Sequence, residues 1–154
     1  MSDNHENNES NPSRYFDLHV TGLGYLNRAR EVKVPRGQPF LAVGIAALHG
    51  AAEAVEKTWF DTRVSGQEAQ KVVRELMPDI EANKSVLVGF KLGDLAPETF
   101  VYESGPKAGQ TGVSLKARLL RIAWAKVDGR TVYTAPRDSL PADGKQGAPL
   151  SEAA

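Results

Sequence analysis

The sequence predicts an all-β fold with one helix: five strands closed into a small barrel, the helix lying between the third and fourth strands. Three observations predict it. Polar and apolar residues alternate from Tyr15, the period of a half-buried strand. Glycines at 22 and 24 then fall where a barrel strand bends. After Ser65 the spacing changes to that of a one-sided helix, and strand character returns beyond it.

Each element follows in order. Tyr15–Gly24 alternates, with Phe16, Leu18 and Val20 on the core face and Asp17, His19 and Thr21 opposite. Strand character resumes over Arg30–Val34, and Pro35-Arg-Gly37 signals a turn. Pro39–Leu48 is apolar enough for a central strand, and Ala- and Glu-rich His49–Lys57 reads as a loop or a single helical turn. Thr58–Ser65 is the third strand. In the helix, Ala69, Val72, Val73, Leu76, Met77 and Ile80 share one face; Ser65 with Glu68 suits a capping box, and Pro78 should end or kink the helix near Leu76. Ser85–Phe90 is a strand that Thr99–Tyr102 extends after a break at Asp94–Pro97. Gly105–Gly112 is a long hairpin loop, Val113–Val127 the last long strand, and Asp128-Gly129 turns it into Thr131–Tyr133. Three strands, a helix and two strands is the order of an OB-fold.

Composition bounds the rest. At 154 residues, with 41% hydrophobic and 25% charged residues, the chain is one domain with tails. Residues 1–13, rich in Asn, Glu and Ser, read as a disordered tail; 14–137 is the domain; 138–154, mixing Pro, Gly and Ala, reads as a flexible tail. With no cysteine there is no disulfide framework, thiolate zinc site or cysteine nucleophile. The N-terminus does not resemble a secretory signal and no apolar run is long enough to cross a bilayer, so a cytoplasmic protein with no membrane partner is expected. The net charge is zero, but residues 14–137 hold 18 Lys and Arg against 13 Asp and Glu, a balance of +5 that suits a phosphate-binding surface.

Catalysis finds little in the sequence. The histidines His5, His19 and His49 lack metal-ligand spacing, Gly105–Gly112 lacks the Gly-Lys-Ser/Thr ending of a phosphate loop, and Gly22-Leu-Gly24 is not followed by a helix. Asp17, Asp61 and Asp94 have no spacing that asks for a nuclease site. The expectation is no enzyme, no metal and no cofactor.

Binding chemistry is better represented. Alternation places Trp59 with Asp61 and Arg63 on one face, and Phe60, Thr62 and Val64 on the other, so the indole should be exposed. Small barrels bind single strands by stacking bases on exposed rings above a basic groove. Phe100 and Tyr102 share a face beside the hairpin loop, where they clamp a strand or pack on a partner subunit. Tyr25 follows the glycine bend and either reaches the groove or packs at the surface; Trp124 suits core or a subunit interface. Arg28, Arg30, Lys33 and Arg63, with Lys91, Lys107 and Lys116 nearby, are the candidate phosphate contacts. Arg118 and Arg121 fall on opposite faces unless a bulge intervenes, so at most one joins Lys116.

On these residues the body resembles a bacterial single-stranded-DNA-binding protein. Val20-Thr-Gly-Leu-Gly24 and the following Arg-Glu-Val-Lys resemble its glycine-bent first strand and a basic second strand. Trp59 to Gly66 is similar to its tryptophan-bearing third strand, Lys84–Leu92 to its fourth, and Phe100–Gly105 to its aromatic-tipped hairpin. The strings at 15–22 (Tyr-Phe-Asp-Leu-His-Val-Thr-Gly), 89–95 (Gly-Phe-Lys-Leu-Gly-Asp-Leu) and 107–119 resemble more closely a family encoded on integrative and conjugative elements and labelled as replication proteins. The resemblance implies sequence-nonspecific binding of single-stranded DNA during replication or transfer of a mobile element, by a homo-oligomer (tetramer or dimer). Two departures stand out: Ser65 takes the place of a DNA-contacting aromatic, and Pro149–Ala154 lacks the acidic, apolar-tipped tail through which partners dock. The alternative expectation is the same barrel acting as an interaction module for replication or conjugation proteins without direct DNA binding; RNA binding is a further rival.

Overall fold

The computed structural model describes residues 16–136. Both tails, with Arg14, Tyr15 and Arg137 of the expected domain, lie outside the described residues. The elements in chain order are β1 (His19–Val32), β2 (Phe40–His49), a 3-10 turn (Ala52–Ala54), β3 (Glu56–Val64), α1 (Gln67–Glu81), β4 (Val86–Val101), β5 (Thr111–Val127) and β6 (Arg130–Thr134). The strands neighbour one another in the order β3-β2-β1-β4-β5-β6, and a parallel pairing of β3 with β5 closes the first five into a barrel. This is the OB-fold arrangement, with the helix between the third and fourth strands.

Alternation explains the interior. From β2, Leu41, Val43 and Ile45 point inward and are nearly inaccessible to solvent; β3 adds Phe60 and Val64, β4 Val88 and Leu92, and β5 Leu119 and Ile122. Phe60 and Phe90 meet edge to face at 6.4 Å, the preferred geometry of two ring quadrupoles. Thr62 is the buried polar residue of this core, and its hydroxyl donates to the Val43 carbonyl at 2.8 Å. Burial of that hydroxyl is therefore compensated.

The first strand begins later than alternation indicates. Phe16 is 99% exposed and Leu18 is exposed too; both precede β1 and pair with no strand. Gly22 and Gly24 act through space. An added Cβ at Gly24 would stand 2.7 Å from Ile45 Cγ2 and 2.9 Å from the Ala46 carbonyl oxygen, so only glycine lets β1 lie this close to β2. The bend itself comes later, where Arg28 and Ala29 oppose Val43 alone and Arg28 takes φ +51°, a β-bulge. Arg30–Val32 completes β1 after this bulge, so the segment expected as a basic second strand belongs to the first. The second strand, Phe40–His49, carries no Lys or Arg.

The helix departs from expectation at both ends. The backbone N–H of Ser65 donates to the Leu119 carbonyl at 2.9 Å, so Ser65 still belongs to the β3–β5 ladder and the helix starts one residue after the expected cap. Gly66 is the N-cap instead, at φ +92° and with no side-chain cap bond, and its carbonyl accepts from Gln70. At the other end α1 runs through Pro78 to Glu81 and closes in a Schellman arrangement, Asn83 at φ +62° donating to Ile80 and Lys84 to Asp79. Burial of Ala69, Val72, Val73, Leu76 and Ile80 against the barrel carries the helix past the proline.

The expected break at Asp94–Pro97 is a second bulge inside a continuous β4. Asp94 and Leu95 oppose Ala117 alone, Asp94 at φ +58°. Two further irregularities in the β4–β5 pairing turn both Arg118 and Arg121 away from the core, with Leu119 and Ile122 buried between and beside them. The hairpin loop is shorter than expected: β5 starts at Thr111, and Gly109 and Gln110 are bonded back to Tyr102. Asp128-Gly129, both at positive φ, make the two-residue turn into β6.

Candidate nucleic-acid interface

The registers of β1, β2, β3 and β5 assemble three rows across the outer face of the barrel. The first is Tyr25–Ala46–Trp59, the second Asn27–Gly44–Asp61–Lys116, the third Arg30–Ala42–Arg63–Arg118. The middle strand contributes only Ala42, Gly44 and Ala46, so the face is a trough: small residues form its floor and larger side chains its sides. At Gly44 an added Cβ would stand 2.5 Å from Asn27 Oδ1, because the Asn27 amide lies over the glycine.

Trp59 is 60% exposed, as its charged neighbours foretell, while Phe60 beneath it is buried. The β4–β5 hairpin rises opposite. There Phe100 (40% exposed) and Tyr102 meet at 4.8 Å, edge to face, and lean over Gly112, where a Cβ would stand 2.6 Å from the Phe100 ring. Trp59 and Phe100 line the same cleft of about 390 Å³, together with Asn27, Arg28, Gly44 and Ser114. Asp61 also lines this cleft, so it joins an aromatic from each side, one carboxylate and an arginine at the rim, with room for a planar base and its phosphate outside.

Two of the cations share one carboxylate. Asp61 Oδ2 accepts from Lys116 Nζ at 2.8 Å, and Asp61 Oδ1 faces Arg30 at 3.4 Å. Glu98 approaches Lys116 at 3.7 Å, and Asp94 pairs with Arg118 at 3.1 Å. Arg63 lies 4.2 Å over the Phe40 ring, a cation–π contact at the end of the trough. Arg28 is exposed on the bulge with no ion-pair partner among the described residues. Partial burial pushes the Asp61 pKa up, but the hydrogen bond and charge of Lys116, with the charge of Arg30, outweigh it and hold the carboxyl below its ordinary 3.8.

Of the residues singled out from sequence, Trp59, Phe100 and Arg28 line the cleft, and Tyr25, Arg30, Arg63 and Lys116 lie on the rows beside it. Lys33 follows the end of β1, whose Val32 pairs with Phe40, at the Arg63 end of the trough. Tyr102 and Lys107 sit further along the hairpin, the ammonium 5.5 Å above the phenol ring. Lys91 is not brought to the trough: it pairs with Thr21 and Arg121 on the β1–β4–β5 face. That face also carries Trp124, which covers Gly89 from outside instead of entering the core. Arg121 lines a separate small cleft with Glu68 and Tyr133.

Asn27 and Gly44 belong to the trough and are not among the sequence candidates; of Arg118 and Arg121, Arg118 is the one on the rows with Lys116. Gly44, a glycine inside an apolar strand, is the signal that marks a close approach. Among the described residues no cluster of three or more His, Cys, Asp or Glu is placed to hold a metal ion, and no helix is long and apolar enough to cross a membrane.

A family model matches residues 9–140, so the chain belongs to the family described as a protein of unknown function, DUF3577. No curated protein and no solved structure matches it.

Proposed function

We propose that this barrel binds single-stranded DNA with little sequence preference. The observation that carries the reading is the cleft between Trp59 and Phe100, set beside an outer face bearing Arg28, Arg30, Arg63 and Lys116. Bases would stack on Trp59 and Phe100, with Tyr25 and Tyr102 extending the aromatic path; phosphates would meet Arg28, Arg30, Arg63 and Lys116, with Lys33 and Lys107 at the two ends. Stacking is indifferent to sequence because every base offers a π-face. The resemblance of residues 15–22, 89–95 and 107–119 to replication proteins of integrative and conjugative elements supports a cytoplasmic role in replicating or transferring such an element. No reaction is assigned.

A dimer or tetramer is part of the proposal, since one small barrel offers a short footprint and linked sites raise avidity. Half-buried Leu23, Leu87, Leu120 and Trp124 lie outside the barrel on β1, β4 and β5 and offer an apolar surface to a second copy.

A second reading, an interaction module for replication or conjugation proteins, is favoured by one observation: Arg30, Lys116 and Arg118 already face carboxylates. Fluorescence anisotropy with labelled oligo-dT separates the two readings. The DNA reading expects binding at low salt that weakens as salt rises, little binding to duplex, and loss on Trp59→Ala. No binding of single strands at low salt leaves the interaction module standing.

A further inference from the structure

Asp61 stands at the centre of the trough, on the same strand and face as Trp59 and in register with Gly44 and Lys116. A carboxylate there repels a phosphodiester backbone, yet it touches two of the cations best placed to receive one. Its Oδ2 lies 2.8 Å from Lys116 and its Oδ1 3.4 Å from Arg30. Both pairs are partly open to solvent, the side chains exposed by 30 to 42%. Exchange for another anion therefore carries little desolvation penalty. Glu98, two-thirds exposed on the hairpin, reaches the same ammonium at 3.7 Å. The trough thus has its own internal anions, held where phosphates would lie.

We propose that Asp61, seconded by Glu98, is a built-in competitor of the nucleic-acid backbone: it occupies Lys116 and Arg30 in the free barrel and is displaced when a strand binds. The inference rests on the single-strand reading above and adds the residue that sets affinity and salt response at that site. Phosphate contact alone has to displace Asp61, so stacking on Trp59 supplies the surplus, and strands without accessible bases are disfavoured.

The test measures anisotropy of labelled oligo-dT across a salt series with four proteins: wild type, Asp61→Asn, Glu98→Gln, and Asp61→Asn combined with Lys116→Gln. Asp61→Asn should bind roughly three- to thirty-fold more tightly at moderate salt, as two exposed ion pairs are released to phosphate. The slope of log affinity against log salt should steepen by about 0.7 for each phosphate gained. Glu98→Gln, which removes only one longer contact, should give a smaller gain, and it keeps the test valid if Asp61→Asn folds poorly. The gain should vanish in the double variant. Equal or weaker binding by both single variants overturns the proposal; if wild type then still binds in a Trp59-dependent way, the stacking reading survives. If neither wild type nor the single variants bind at low salt, both fall. Binding by Asp61→Asn where wild type fails supports the competitor.

Discussion

Trp59 faces solvent because its strand spends the opposite face on the core: Phe60, Thr62 and Val64 are buried, leaving Trp59, Asp61 and Arg63 outside. Truncating an indole that stacks on a base costs about 1–3 kcal/mol, so Trp59→Ala should weaken oligo-dT binding roughly 5- to 150-fold while thermal unfolding barely moves. Beside it, Asp61 links the site to pH. Its folded-state pKa lies below 3.8, so the unfolded chain takes up the proton first as pH falls. Its contribution is full above the unfolded value and is lost as pH drops through the folded one. Urea unfolding of wild type and Asp61→Asn should therefore show any wild-type advantage at neutral pH shrinking below about pH 4. The exposure of Trp59 was legible from its neighbours alone. The pairing of Asp61 with Lys116 was not, because it joins residues 55 positions apart through a parallel register that no local pattern encodes.

At the scale of elements, tertiary pairing overrides local signals. Ser65 has the chemistry of an N-cap, but strand pairing with β5 runs through it, so the helix starts one residue later, with Gly66 making the turn at φ +92°. An added Cβ there meets nothing within 4 Å, so Gly66→Ala should cost about 1–2 kcal/mol in urea unfolding, purely from backbone strain. Gly44 is the opposite case. Its φ is ordinary, but a side chain would enter the trough beside the movable Asn27 amide. Gly44→Val should lower stability by only about 1 kcal/mol yet remove the equivalent of one stacked base from affinity. The helix was legible by its spacing and its burial matches; its passage through Pro78 was not, because packing of Val73, Leu76 and Ile80 is invisible in a propensity. Phe16 and Leu18 continued the alternation of β1 but pair with no neighbouring strand, so pattern alone overextended it.

For the molecule as a whole, barrel closure decides which residues meet. Parallel pairing of β3 with β5 brings Trp59 to the hairpin of Phe100, and the bulge at Arg28 sets a cation at the rim of the same cleft. The order of strands and helix was legible along the chain, and it carried the barrel. The site was legible only as a list of aromatic and basic residues, since register sorts Lys91 to one face and Lys116 to another. If Leu23, Leu87 and Trp124 lie between copies, Leu23→Glu should shift the species seen by light scattering toward monomer and shorten the DNA footprint.

The stacking claim is tested most directly through the indole itself. The chain has two tryptophans, so in a Trp124→Phe background Trp59 is the sole indole emitter. Titrating that variant with oligo-dT at low salt should quench its fluorescence in step with binding, reverse on adding salt, and show no change with duplex. Binding seen by anisotropy with unaltered Trp59 emission would contradict base stacking at this site.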